Sequence, residues 1–171
     1  AVIFGTAYNA GLGMPISIVI ALFSGTLCGL FNGILVTQLQ IPSIILTIGT
    51  LTLYRGIAQS LASDFSLGGY PSWFIGIDYR YIGIVPIPVI IFTVFAIVVG
   101  FFLSSTIYGK QLYLIGTNPQ TAKYSGIKVN RIKLLLFTLS GLVCGIAGVL
   151  TTSRLAVARF NMATGAELEI V

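Results

Sequence analysis

AVIFGTAYNAGLGMPISIVIALFSGTLCGLFNGILVTQLQIPSIILTIGTLTLY, residues 1–54, contains no charged side chain. The first charge is Arg55, and two further uncharged stretches follow at residues 81–109 and 134–153. Soluble domains carry about 25% charged residues, because their surfaces must be wetted. This chain has 8% charged and 56% hydrophobic residues among 171, with a mean hydropathy of +1.02. So few charges do not cover a water-facing globule of this size. A bilayer asks instead for about 20 apolar residues per helical span. The predicted fold class is an all-α membrane protein, a polytopic transmembrane helix bundle. It has about four full spans, at residues 14–37, 42–62, 85–107 and 131–153, all part of a single transmembrane domain over 1–171. Residues 1–13 read as the end of an earlier span and a turn at Asn9-Ala10-Gly11, and the chain reads as the middle of a longer protein.

The net charge of +5 suggests nucleic acid only until the cations are located. Five of the nine, Lys110, Lys123, Lys128, Arg131 and Lys133, crowd one connector that holds no acid. That is a positive-inside signal rather than a nucleic-acid surface. The connector at 63–84 holds one cation and the tail two, so the 108–130 loop is expected in the cytoplasm with the short connector at 38–41. The 63–84 loop and the tail are then outside, and Tyr70, Trp73, Tyr79 and Tyr81 suit the headgroup level.

Inside the spans, Gly25, Gly29 and Gly33 recur at every fourth residue, and Gly141, Gly145 and Gly148 nearly repeat the pattern. Such bare faces let helices approach closely. Asn32 reads as an interhelical hydrogen bonder, and Cys28 and Cys144 as small core residues. Ser43, Thr47, Thr50 and Tyr54 fall on one helix face and form a candidate solute pathway, with Arg55 beside them. Two readings stay open for the stripe: hydroxyls bonded back to their own helix, or a wall for a polar solute. Arg55 either faces the bundle interior or snorkels to an interface.

No enzyme chemistry is expected. The chain has no His, no paired acids within a span and no Gly-x-x-x-x-Gly-Lys-Ser/Thr phosphate loop. Catalytic residues and metal ligands are read as none.

The connector itself has local order. Asn118 is a good N-cap, Pro119 suits the first helical position and Gly126 closes a helix of about two turns, with Asn130 capping the next. On these residues alone it is either a lever for a soluble partner or a passive structured loop.

The stretch Ile115-Gly116-Thr117-Asn118-Pro119-Gln120-Thr121-Ala122-Lys123-Tyr124-Ser125-Gly126-Ile127-Lys128-Val129 resembles the cytoplasmic signature of bacterial ribose-type sugar ABC-importer permeases, the branched-chain/ribose permease family, whose relatives handle ribose, rhamnose or autoinducer-2. Further stretches are similar to the same family in order and spacing: Ile41-Pro42-Ser43-Ile44-Ile45, Thr47-Ile48-Gly49-Thr50-Leu51, Tyr54-Arg55-Gly56, Ser140-Gly141-Leu142 with Ala147-Gly148, and Gly165-Ala166-Glu167-Leu168. The resemblance implies a permease subunit that moves a sugar or sugar-like solute into the cytoplasm. Implied partners are cytoplasmic ABC ATPase subunits, a second permease subunit (homo- or heterodimer), a periplasmic sugar-binding protein and the lipid bilayer, with no nucleic acid. This chain would hold no cofactor, ATP being bound by the partner subunit, and would lie as a multi-pass protein in the bacterial inner membrane. Gly116, Asn118, Pro119, Ala122, Lys123, Ser125 and Gly126 would couple it to the ATPase. The alternative is a secondary transporter or channel for a small polar solute; the four acids all fall in the 63–84 loop or the tail, which leaves proton coupling through these spans unsupported.

Overall fold

The computed structural model describes residues 1–39, 41–62, 67–75, 81–82 and 85–162. Asp64, Asp78, Tyr79, Arg80, the Gly165–Leu168 stretch and both glutamates lie outside the described residues. Eight described helices run in order: α1 (Val2–Asn9), α2 (Met14–Leu39), α3 (Ser43–Ala62), α4 (Ser72–Ile75), α5 (Ile87–Ser105), α6 (Ile107–Thr117), α7 (Pro119–Tyr124) and α8 (Val129–Leu155). A two-residue ladder, β1 (Tyr81–Ile82) with β2 (Val85–Pro86), precedes α5. Four helices, α2, α3, α5 and α8, are long and apolar enough to cross a membrane. The protein is a multi-pass helical membrane protein.

Its centre is an antiparallel pair, α2 against α8, and the glycines are its cause. A methyl built on Gly25 would lie 2.7 Å from the Gly141 carbonyl oxygen, and one on Gly29 would overlap the Phe137 carbonyl oxygen and lie 2.9 Å from Gly141 Cα. At Gly33 the nearest atoms are side-chain carbons of Leu134 and Phe137, both at 3.0 Å. Backbone therefore rests on backbone, and dispersion replaces the hydrophobic effect as the attraction between helices in lipid. The bulky residues Val19, Phe23, Leu27 and Phe31 sit two positions away, about 200° around the helix, and are 46–64% exposed. Thus α2 turns a smooth face to α8 and leaves a bulky apolar face exposed.

The end of the pair away from the lysines is closed by aromatic packing. Phe4 and Tyr8 of α1 stack with Tyr70 and Phe74, at centroid distances of 5.2–5.4 Å for three of these ring pairs. Backbone hydrogen bonds between Leu67 and Ala158 run both ways, and the buried Ser153 hydroxyl donates to the Phe74 carbonyl. Burial first, then neighbouring Tyr8, pushes the Tyr70 phenol up to about 12, so it stays protonated and donates to the Leu67 carbonyl.

Three expectations need correction. The third span ends at Ser105, not near residue 107, because Thr106 adopts an extended conformation and turns the chain. The 108–130 segment is mostly helical, since α6 fills its first half. Asn130 does not cap α8, which starts one residue earlier with Lys128 at the N-cap position; its amide instead donates to the Thr37 carbonyl at the end of α2. Helix α6 has little pattern of its own, because α8 covers its apolar side through Ile115 and Ile132.

Candidate functional site

Two features combine polar groups with defined geometry. The first is the corner formed by α6, α7 and the start of α8. Thr106 locks its entry: its hydroxyl donates to the Phe102 carbonyl at 2.6 Å and accepts from the Gly109 amide at 3.2 Å. A side chain at Gly109 would overlap the Leu103 carbonyl, and the Phe102 and Tyr108 rings stack with 7° between planes.

Helix α7 has only six residues, far below the length at which an isolated helix persists in water. Caps and packing hold it. The Asn118 side-chain oxygen accepts from Gln120 N at 2.9 Å and Thr121 N at 3.2 Å, and Pro119 stands at the first helical position. At the other end Gly126, at φ 80°, donates to the Lys123 carbonyl while Ile127 N donates to the Ala122 carbonyl. That double bond pattern is a Schellman closure, and only glycine adopts its left-handed residue without strain. Ala122, 3% exposed, packs with Ile115 and Ile132, joining α7 to α6 and α8.

Of the residues singled out here, Ala122 faces inward, whereas Gly116, Asn118, Pro119, Lys123, Ser125 and Gly126 are exposed. Gly116 has open space where a side chain would point. Tyr124, which no local pattern singles out, is 88% exposed at the end of α7. Asn118→Ala is expected to cost about 1 kcal/mol of local stability. Amide exchange of Gln120 and Thr121 should speed up, and Asn118→Asp should restore it; unchanged exchange would show the cap to be idle.

The second feature is a cleft of about 520 Å³ between α2, α3 and α8, within the size range of small-molecule sites. Thr47, Tyr54 and Arg55 line it; Ser43 and Thr50 do not. The Thr47 and Thr50 hydroxyls bond back to carbonyls of their own helix, as the plainer of the two readings had it. Tyr54 differs. Its hydroxyl crosses to α2, 3.1 Å from both the Cys28 carbonyl and the Asn32 side-chain oxygen, so its single proton serves one or the other. Asn32 is thus an interhelical partner, as its position suggested. Arg55 is half-buried and turned toward the cleft rather than away from it.

Cys28 and Cys144 depart from their reading as core residues. Both line the cleft, and Cys144 is exposed because α3 does not cover α8 there. Arg159, from the segment after α8, joins the same lining with Ser24 and Ser140. Ser24 and Cys28 share one face of α2, and Ser140 and Cys144 one face of α8, each pair four residues apart. Only the crossing of α2 and α8 gathers them.

Comparison with known proteins shows the family of the chain. The family described as "Branched-chain amino acid transport system / permease component" matches residues 1–171. The chain is 33% identical over 173 residues to the Autoinducer 2 import system permease protein LsrC of Enterobacter sp. (strain 638), covering 100% of this chain and 50% of that protein. It is 34% identical over 170 residues to the Autoinducer 2 import system permease protein LsrD of Escherichia coli O9:H4 (strain HS), covering 95% of this chain and 51% of that protein. The chain therefore spans about half the length of these curated relatives. No solved structure matches it.

Proposed function

The chain belongs to the branched-chain amino acid transport system permease family, and from that premise we propose that it is part of the membrane-spanning permease subunit of an ATP-binding-cassette importer. The protein carries a sugar or sugar-like solute into the bacterial cytoplasm across the inner membrane, and a separate ATPase subunit drives it. The class of solute rests on the autoinducer 2 import proteins to which the chain is similar. A hydroxylated molecule also suits a cleft whose polar side chains are four hydroxyls, one amide, two thiols and two guanidiniums.

The observation that carries the proposal is the doubly capped, packed α7. Such a helix moves as a unit with its neighbours. An ATPase pressing on α7 from the cytoplasm displaces Ala122, and with it Ile132 and the start of α8. Because α8 is fastened to α2 through glycines, the pair shifts together and changes the cleft that Thr47, Tyr54 and Arg55 line against it. Gly116, Asn118, Pro119, Ala122, Lys123, Ser125 and Gly126 hold or present the contact. A second permease subunit and a periplasmic solute-binding protein complete the assembly.

The test is uptake of a labelled solute, a pentose or autoinducer 2, into sealed vesicles holding the full-length permease. Accumulation should require the ATPase subunit and ATP together. A water-soluble thiol reagent should modify Cys144, and transported solute should slow it. Accumulation that persists without any ATPase would replace the importer with a secondary carrier or channel.

A further inference from the structure

A second cavity, of about 480 Å³, lies where α7 meets the start of α8, and four cations line it: Lys123, Lys128, Arg131 and Lys133. Gln120 and Asn130 are the polar uncharged members of its wall. No acid occurs among the described residues. Residues 79–166 contain no acid, nor do residues 1–63. The four acids, Asp64, Asp78, Glu167 and Glu169, all lie outside the described residues. Lys123, Lys128 and Arg131 are exposed and Lys133 is half-buried, and a concave wall of four like charges attracts an anion.

The cavity's position selects the anion. Asn130, part of its wall, bonds to the Thr37 carbonyl two residues before α2 ends, and α8 begins its apolar span just beyond Lys133. This is the level at which a helix passes from hydrocarbon to headgroups. Pro119 and Lys123 of α7 belong to the lining, whereas Tyr124 and Ser125 do not. We propose that the cavity is a binding site for the phosphodiester headgroup of an anionic phospholipid, with Lys128, Arg131 and Lys133 supplying the charge and Gln120 and Asn130 the neutral hydrogen bonds. The chemistry recognised is a phosphate ester carrying one negative charge, and the bilayer is its source. Basic pockets of this kind between spans commonly hold lipid headgroups. Lipid in the site would fix the start of α8 and steady the corner, whichever protein docks on α7.

The test uses the full-length protein in detergent micelles doped with phosphatidylglycerol or with phosphatidylcholine, with bound lipid counted by native mass spectrometry. Phosphatidylglycerol should be retained preferentially, and the preference should weaken as salt rises. Lys128→Gln, Arg131→Gln and Lys133→Gln should each lower it about fivefold, while the Lys→Arg changes at 128 and 133 keep it and report that the fold is intact. Equal retention of both lipids, or a preference unchanged in the triple glutamine variant, overturns the proposal. Displacement by inorganic phosphate at matched concentration would make the site one for free phosphate. Displacement by the ATPase subunit would assign the cations to that protein's acids, and either result also overturns the lipid assignment.

Discussion

Gly29→Ala is expected to loosen α2 from α8 and to lower the stability of the whole bundle. The added methyl overlaps the Phe137 carbonyl oxygen and comes within 2.9 Å of Gly141 Cα. Those obstacles are backbone in the middle of a 27-residue helix, so no side-chain rotation relieves them. Overpacking of this sort costs about 1–3 kcal/mol. It opposes a gain of up to about 1 kcal/mol, because alanine is the better helix former. Gly100→Ala supplies the reference: it lies in α5, where a methyl meets nothing within 4 Å, and it carries the propensity gain alone. Thermal unfolding in detergent should therefore move the two variants in opposite directions. Uptake should fall in Gly29→Ala as well, since the cleft is walled by both members of the pair. If Gly29→Ala unfolds no earlier than Gly100→Ala, the glycine contact does not hold the core together.

Tyr124→Ala and Gly116→Arg are expected to abolish coupling while leaving the fold alone. Tyr124 is 88% exposed, so its removal opens no cavity, and exposed substitutions usually alter stability by less than about 0.5 kcal/mol. Aromatic anchors at protein interfaces contribute about 2 kcal/mol or more when truncated, which is roughly thirtyfold in affinity. Gly116 has open space around it near the end of α6, where the charge of an arginine suits the helix dipole. A loss of ATPase docking in Gly116→Arg would then arise at the partner surface and not from misfolding. Ala122 offers no such clean test, because it is buried and a charged residue there would dismantle the corner. Affinity between full-length permease and ATPase, measured beside thermal stability, separates the cases. Unchanged docking and ATP-driven uptake in both variants would remove α7 from the coupling role.

How much was legible beforehand depended on the range of the interactions. Spans were readable because hydrocarbon length and hydropathy are properties of a contiguous stretch: residues 14–37 and 42–62 became Met14–Leu39 and Ser43–Ala62. The caps of α7 were readable because Asn118, Pro119 and Gly126 act within a few residues of themselves. The glycine faces announced close packing but not the partner. Nothing in Gly25, Gly29 and Gly33 named Gly141 as their counterpart.

The candidate cleft was half visible. Tyr54, Thr47 and Arg55 were on one helix, where a period of 3.6 exposes their common face. Asn32, Cys144 and Arg159 come from elsewhere in the chain and meet them only through helix crossing. Helix α6 was missed because its apolar residues find cover on α8, through Ile115 and Ile132, and show little pattern of their own.

Composition and local chemistry thus determined, by themselves, that this protein crosses a membrane several times, that one connector is basic, and that a short capped helix stands within it. Tertiary structure alone decided that α2 and α8 meet backbone to backbone, which residues share the cleft, and that four cations surround one cavity. The physical reason is that burial in lipid and hydrogen bonds to near neighbours are set by consecutive residues, whereas the pairing of two apolar helices depends on the fit of their surfaces, which no stretch of one helix contains.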